Sequence, residues 1–212
     1  MDTGDLNDAY TVRSLDDLAK IYAKPLPKIA TKATAHITEV GRAFIVASPF
    51  LVLATSNGDS IDCSPKGDAP GFVMVLDERH LVIPDRPGNK RFDGMRNILE
   101  NPHVGLIFFV PGREETLRVN GRATITRAPA LLDRMEVGGK RPTLAIGVEV
   151  EEVFMHCAKA FKRSGLWHPD KWPDTSTMAP AACMLFDHAK PTDQTVEELA
   201  RRLEIAYVKT LY

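Results

Sequence analysis

Residues 50–64, FLVLATSNGDSIDCS, decide the fold class. Two β-prone runs flank Asn57-Gly58, a dipeptide that tolerates the positive φ a tight hairpin needs. A connection this short joins only antiparallel strands, because a parallel crossover takes a dozen residues or more. The same texture continues in FVMVL (72–76), HLVI (80–83), VGLIFFV (104–110), ETLRVNGRATIT (115–126) and TLAIGVEVEEVFMH (143–156). In 115–126, Leu117, Val119 and Ile125 fall on one face and Arg118 and Arg122 on the other, while Gly121 marks a bulge or a close backbone approach. This pattern excludes a doubly wound parallel sheet.

Helical periods surround the strands. SLDDLAKIYA (14–23) opens on a Ser14/Asp17 capping-box pattern with Leu15, Leu18, Ile21 and Tyr22 on one face. Residues 32–47 carry Ile37, Val40, Phe44 and Ile45 at helical spacing and are closed by Pro49. Asn89 to Leu99 predicts a helix with Phe92, Met95, Ile98 and Leu99 inward, ended by Asn101-Pro102. APALLDRMEV (128–137) predicts a short helix, and TVEELARRLEIAYVKTLY (195–212) an amphipathic one with a Thr195/Glu198 capping box. Residues 165–180, GLWHPDKWPDTSTMAP, form a loop too long to be a mere connection. The fold class is β-rich α+β, a barrel of six to seven antiparallel strands with peripheral helices. We read one domain over 1–212, with N-terminal helices in 1–48, the barrel core in 49–155, and a lid loop and C-terminal helix in 156–212.

With 27 basic and 28 acidic residues, the chain has no global field suited to nucleic acid or a membrane surface, so any anion site is local. No apolar segment approaches the roughly 20 residues of a membrane-spanning helix. Cys63, Cys157 and Cys183 are odd in number and widely spaced, and the N-terminus reads as neither a basic leader nor an apolar run. The expected location is a reducing cytoplasm.

One local anion site stands out. In IPDRPGNKRFDGMRNILENP (83–102), Arg86, Lys90 and Arg91 surround a Pro-Gly turn ahead of a predicted helix, where backbone N–H groups and a dipole also favour a phosphate. The alternative is a solvated turn whose cations are neutralised by Asp85 and Asp93. In SPKGD (64–68), Lys66 is either a ligand-reaching cation or an ordinary loop lysine. HCAKAFKRSGLWHPDKW (156–172) places Arg163 and Trp167 four apart, so a helix continuing through them would put a cation and an aromatic plane on one face; a packed aromatic loop is the other reading. No metal is expected there, because there is neither a Cys-x-x-Cys pair nor a His pair at i and i+4. With no Gly-x-Ser-x-Gly elbow and no partner nominated for Cys63, an enzyme of this sequence would take its reactive atom from a cofactor.

Taken in order, SPKGD, IPDRPGNKR and ETLRVNG make the chain resemble the pyridoxamine 5′-phosphate oxidase-like family of flavin-binding split β-barrels, in a branch of FMN-dependent enzymes. The resemblance covers roughly residues 32–170. It implies a cytoplasmic homodimer with FMN at the subunit interface, a small-molecule substrate, and hydride transfer at the flavin N5, with no catalytic side chain assigned. It places Asp62, Ser64 and Lys66 on a flavin-contacting strand. Ile83, Pro84, Arg86, Asn89, Lys90 and Arg91 would hold the ring edge and the phosphate, Thr116 would face the flavin, and Arg163, Ser164 and Trp167 would close over the site from the other subunit. Relatives on the same barrel use a deazaflavin or bind haem, and a flavin-binding protein that stores or senses without turnover is the alternative to an enzyme. The family's Arg-x-His tail is replaced here by LEIAYVKTLY and its Ser-Arg-Lys loop by Gly-Asn-Lys-Arg, which points away from vitamin B6 oxidation.

Overall fold

A computed structural model describes residues 10–24 and 26–212. The leader-free reading of residues 1–9 lies outside the described residues. The chain divides into two compact units after Ala33. In the first, α1 (Leu15–Ile21) starts at Ser14, whose side chain accepts from the Asp17 amide, and α2 (Pro27–Ala30) follows. The apolar face of α1 is exposed along Leu15, Leu18, Ile21 and Tyr22.

The second unit holds α3 (Glu39–Ala47), β1 (Phe50–Ser56), β2 (Ile61–Gly67), β3 (Met74–Val75), β4 (His80–Pro84) and α4 (Asp93–Glu100). Next come β5 (His103–Phe109), β6 (Thr116–Thr126), α5 (Pro129–Asp133), β7 (Ala145–His156), α6 (Lys159–Ser164), α7 (Ala181–Ala189) and α8 (Val196–Lys209). Among the described residues, seven strands form one sheet in the order β2-β1-β5-β6-β7-β4-β3, every pair antiparallel. The sheet is not closed, β2 and β3 being its edges, and the architecture is the expected split-barrel α+β fold. Asn57 holds the β1–β2 hairpin by accepting from the amides of Asp59 and Ser60 at 3.1 and 2.8 Å, and Gly58 takes φ 101°.

The core follows from the period of two. Leu51 and Leu53 of β1, Val104, Leu106 and Phe108 of β5, and Leu117 and Val119 of β6 all point inward and are buried, with Ile45 of α3 packed on them. On β7 the inward residues are Val148, Val150 and Val153, a sequence that breaks the period. The register explains it: Asn120 faces Glu152 while Gly121 faces Val150, so Glu151 is the extra residue of a bulge. Without that bulge, Val153 and Val150 would lie on opposite faces of the sheet. Glycine is required opposite it, because a Cβ on Gly121 would sit 2.1 Å from the Glu149 carbonyl oxygen.

Three helices differ from the sequence expectation. α3 begins at Glu39 rather than residue 32, because Thr34 forms a two-way backbone bridge with Val153 and the Thr38 side chain caps the Gly41 amide at 3.1 Å. α4 begins at Asp93 rather than Asn89, because Lys90 and Phe92 adopt left-handed φ of 61° and 62°. Its buried residues are Asn97 and Ile98, whereas Phe92 and Leu99, expected inward, are exposed; Asn97 donates to Thr55 Oγ1 at 3.2 Å. α6 stops at Ser164 on a left-handed Gly165 of φ 63°, so no helix runs through Arg163 to Trp167. α7 lies beyond the predicted loop and packs against α8, whose Thr195/Glu198 capping box is complete.

Gly121→Ala is expected to cost about 3 kcal/mol or more, through a backbone clash that no rotamer can relieve. Urea denaturation of the variant measures it; a midpoint within error of the parent would show that the bulge can open.

Candidate functional site

Along β2 the side chains alternate: Asp62, Ser64 and Lys66 are half-buried on one face, and Ile61, Cys63 and Pro65 are exposed on the other. α4 packs against β1, β2 and β6. Gly94 in its first turn permits the approach, since a Cβ there would lie 2.9 Å from Asp62 Oδ2 and 3.7 Å from Ser64 Oγ. Ser64 Oγ donates to that same Asp62 Oδ2, which orients the carboxylate. Between β4 and α4 the backbone of 85–92 is irregular, and each left-handed side-chain-bearing residue in it costs on the order of 1 kcal/mol.

These elements, with residues 140–144 and Tyr212, enclose a cavity of about 1000 Å³. Its apolar lining includes Leu53, Phe92, Met95, Leu144 and Ile146, and its cations are Lys66, Arg86, Lys90, Arg91, Lys140 and Arg141, against Asp62, Asp85 and Asp93. In a chain of net charge −1, this is a local excess of positive charge. An apolar floor beside several cations fits a flat ligand that carries a phosphate, and the volume is at the upper end of the roughly 300–1,000 Å³ range of ligand pockets.

The structure brings together in this cavity Asp62, Ser64, Lys66, Arg86, Asn89, Lys90 and Arg91. It does not bring in six others. Ile83 and Pro84 are buried within β4, paired with Ile146 and Ala145 of β7. Thr116 is buried at the start of β6 opposite His156. Arg163 and Ser164 end α6, and Trp167 stands beside the β5–β6 turn: it stacks on Phe161 at 5.6 Å and its indole N–H donates to the Arg113 carbonyl at 2.7 Å. Lys162 donates to Glu114 at 2.6 Å nearby, which holds the Glu114 carboxyl below its usual range and raises the lysine.

The solvated-turn reading describes Arg91 but not Arg86. Arg91 pairs with Asp93 at 2.6 Å, but Arg86 pairs with Asp68, also at 2.6 Å, a carboxylate whose side chain is only 2% exposed. Burial alone would raise Asp68; hydrogen bonds from the Tyr212 hydroxyl, the Ala69 amide and Arg86, together with the Arg86 charge, outweigh it and hold the carboxyl below its usual range. Burial pushes Asp85 up, offset in part by the nearby Lys66 charge. Tyr212 donates to Asp68 Oδ1 at 2.6 Å, its ring lies 5.6 Å beneath the Arg86 guanidinium, and its main-chain oxygen accepts from Lys140 at 2.7 Å. Lys140, Arg141 and Tyr212 have no local motif that marks them, since only tertiary structure brings them to the cavity; Asp68 was legible within SPKGD but as a turn residue.

Residues 37–157, more than half of the chain, match the family described as pyridoxamine 5′-phosphate oxidase. The fold is that of a split-barrel protein, and the chain belongs to this family. Among solved structures it is similar to HupZ of Group A Streptococcus, with 19% identity over 56% of this chain and 93% of that one and a TM-score of 0.45. It is also similar to General Stress Protein 26 of Bacillus anthracis, with 17% identity over 54% and 88% of the two chains and a TM-score of 0.42. For an FMN-binding protein of Syntrophomonas wolfei the identity is 9%, over 55% of this chain and 80% of that one, with a TM-score of 0.41. No curated protein matches the chain. Among the described residues no helix is long and apolar enough to cross a membrane, and no three His, Cys, Asp or Glu side chains converge to hold a metal ion.

Because its carboxyl is depressed on folding, Asp68 adds stability that is fully present above the unfolded aspartate value of about 3.9 and is lost as pH falls below it, through the lower folded value. In Asp68→Asn, denaturant midpoints measured from pH 6 down to pH 2 are expected to fall less steeply below about pH 4 than in the parent. Parallel curves would assign the acid loss to other carboxylates.

Proposed function

We propose that the protein is an FMN-dependent oxidoreductase acting on a small-molecule substrate, as a cytoplasmic homodimer. The observation that carries this reading is the cavity of about 1000 Å³, in which Lys66, Lys90 and Arg91 stand over an apolar floor of Leu53 and Ile146, in a chain of the pyridoxamine 5′-phosphate oxidase family. When bound, FMN would supply the redox chemistry by exchanging a hydride at its N5.

The side chains of this chain have the remaining tasks. Lys90 and Arg91 anchor the phosphate from the turn in which Lys90 and Phe92 take left-handed φ. Lys66 places a positive charge at the ring edge, where it favours the reduced, anionic state. Asp62, fixed by Ser64 and given room by Gly94, accepts a hydrogen bond from the ligand. Arg163, Ser164 and Trp167, which lie outside the cavity of their own chain, are assigned to the site of a second copy. Three unpaired cysteines, Cys63, Cys157 and Cys183, agree with a reducing compartment.

The first test is to add FMN to the purified protein, remove the excess by gel filtration, and record the visible spectrum at the elution volume. Flavin bands co-eluting at dimer size support the reading, and no retained flavin rejects it; retention without reoxidation by any acceptor after reduction leaves a binding protein and removes the oxidoreductase. The phosphate assignment has its own test. Replacing Lys90 and Arg91 together by alanine is expected to weaken FMN binding by about 3 kcal/mol, roughly a hundredfold, read by flavin fluorescence titration. Unchanged affinity in a folded double variant rejects that assignment.

A further inference from the structure

α8 ends at Lys209, and the two residues after it, Thr210 and Leu211, are exposed. The chain nonetheless turns back so that Tyr212 enters the cavity lining. Its hydroxyl donates to the buried Asp68 at 2.6 Å, its ring lies beneath Arg86, and its main-chain oxygen takes a hydrogen bond from Lys140 at 2.7 Å. Arg86 and Lys140 are both cations of the cavity, so one residue ties down two groups facing an anionic ligand. The bond to Asp68 is charge-assisted and shielded from water, the setting in which such bonds are strongest. Thr210 is held to α8, its amide and hydroxyl both donating to the Ala206 carbonyl, so lifting is confined to the exposed Leu211 and to Tyr212 itself.

We propose that Tyr212 is a strap across the Arg86–Lys140 end of the cavity, latched on Asp68, which must lift before ligand can enter or leave. While latched it also positions Arg86, by taking the second oxygen of the carboxylate that the guanidinium holds. The identity of the ligand rests on the flavin reading above; the latch itself does not.

The test compares wild type, Tyr212→Phe and Leu211→Ala. Tyr212→Phe keeps the ring beneath Arg86 and removes only the hydroxyl; Leu211→Ala alters an exposed neighbour that has no place in the latch. Release of FMN on large dilution is followed by the return of flavin fluorescence, and hydrogen exchange of the peptide covering 203–212 is followed in the ligand-free proteins. Tyr212→Phe is expected to release FMN about tenfold faster and to exchange faster at 203–212, with Leu211→Ala like wild type in both. Release at the wild-type rate from Tyr212→Phe overturns the strap, and so does equal acceleration in both variants, which would mean general loosening. If wild type retains no FMN, the flavin reading fails and exchange alone decides: faster exchange in Tyr212→Phe upholds the latch, and equal exchange overturns it.

Discussion

A carboxylate that is only 2% exposed stays ionised only if partners replace the water it has lost, and Asp68 has three: the Arg86 guanidinium, the Tyr212 hydroxyl and the Ala69 amide. Each partner comes from a different place in the chain. Arg86 follows β4, Tyr212 follows α8, and Ala69 continues from β2. The ion pair also lies between two hollows, because Arg86 lines the large cavity and, with Asp68, a smaller one of about 300 Å³ bounded by Met135 and Val137. Removing either member would leave a buried charge uncompensated, a loss far larger than that of a surface pair. The geometry of the cavity therefore depends on this pair more than on Lys66, Lys90 or Arg91.

The barrel was legible in the sequence where the cause is local. Asn57-Gly58 turns the first hairpin through contacts within four residues, and the Thr195/Glu198 box caps α8 through contacts within three. Gly121 announced a bulge because only glycine tolerates a carbonyl so close, although the extra residue, Glu151, sits on the facing strand and left no mark of its own. The legible part of the site was likewise the part written in contiguous motifs, on β2 and in the turn after β4. What the sequence hid is long-range: the Tyr212 contact to Asp68 spans 144 positions, and Lys140 and Arg141 reach the cavity only through the pairing of β7 with β4. The helix starts of α3 and α4 were misplaced for a related reason. Helical spacing continued upstream in both, but a strand-like bridge at Thr34 and left-handed residues at Lys90 and Phe92 override it.

The allocation of charge decides where the proposed phosphate would gain most in a nearly neutral chain without a basic surface. Most cations of the cavity already have partners: Arg86 has Asp68, Arg91 has Asp93, Arg141 has Asp133 and Lys140 has the Tyr212 main-chain oxygen. Lys66 stands near Asp85, whose burial favours its neutral form. A phosphate arriving there would exchange one set of partners for another, and would gain only the difference between them. That difference would be small at Arg86, whose partner carboxylate is only 2% exposed. It would be larger at Arg91, whose guanidinium is 74% exposed and whose partner Asp93 is 35% exposed, so water can take up the released carboxylate. Lys90 makes no ion pair among the described residues, and its left-handed backbone is held beside that same exposed pair. In the proposed reading the binding strength would accordingly be concentrated at Lys90 and Arg91, in the strained and exposed turn, while the Arg86–Asp68 pair would keep its own geometry.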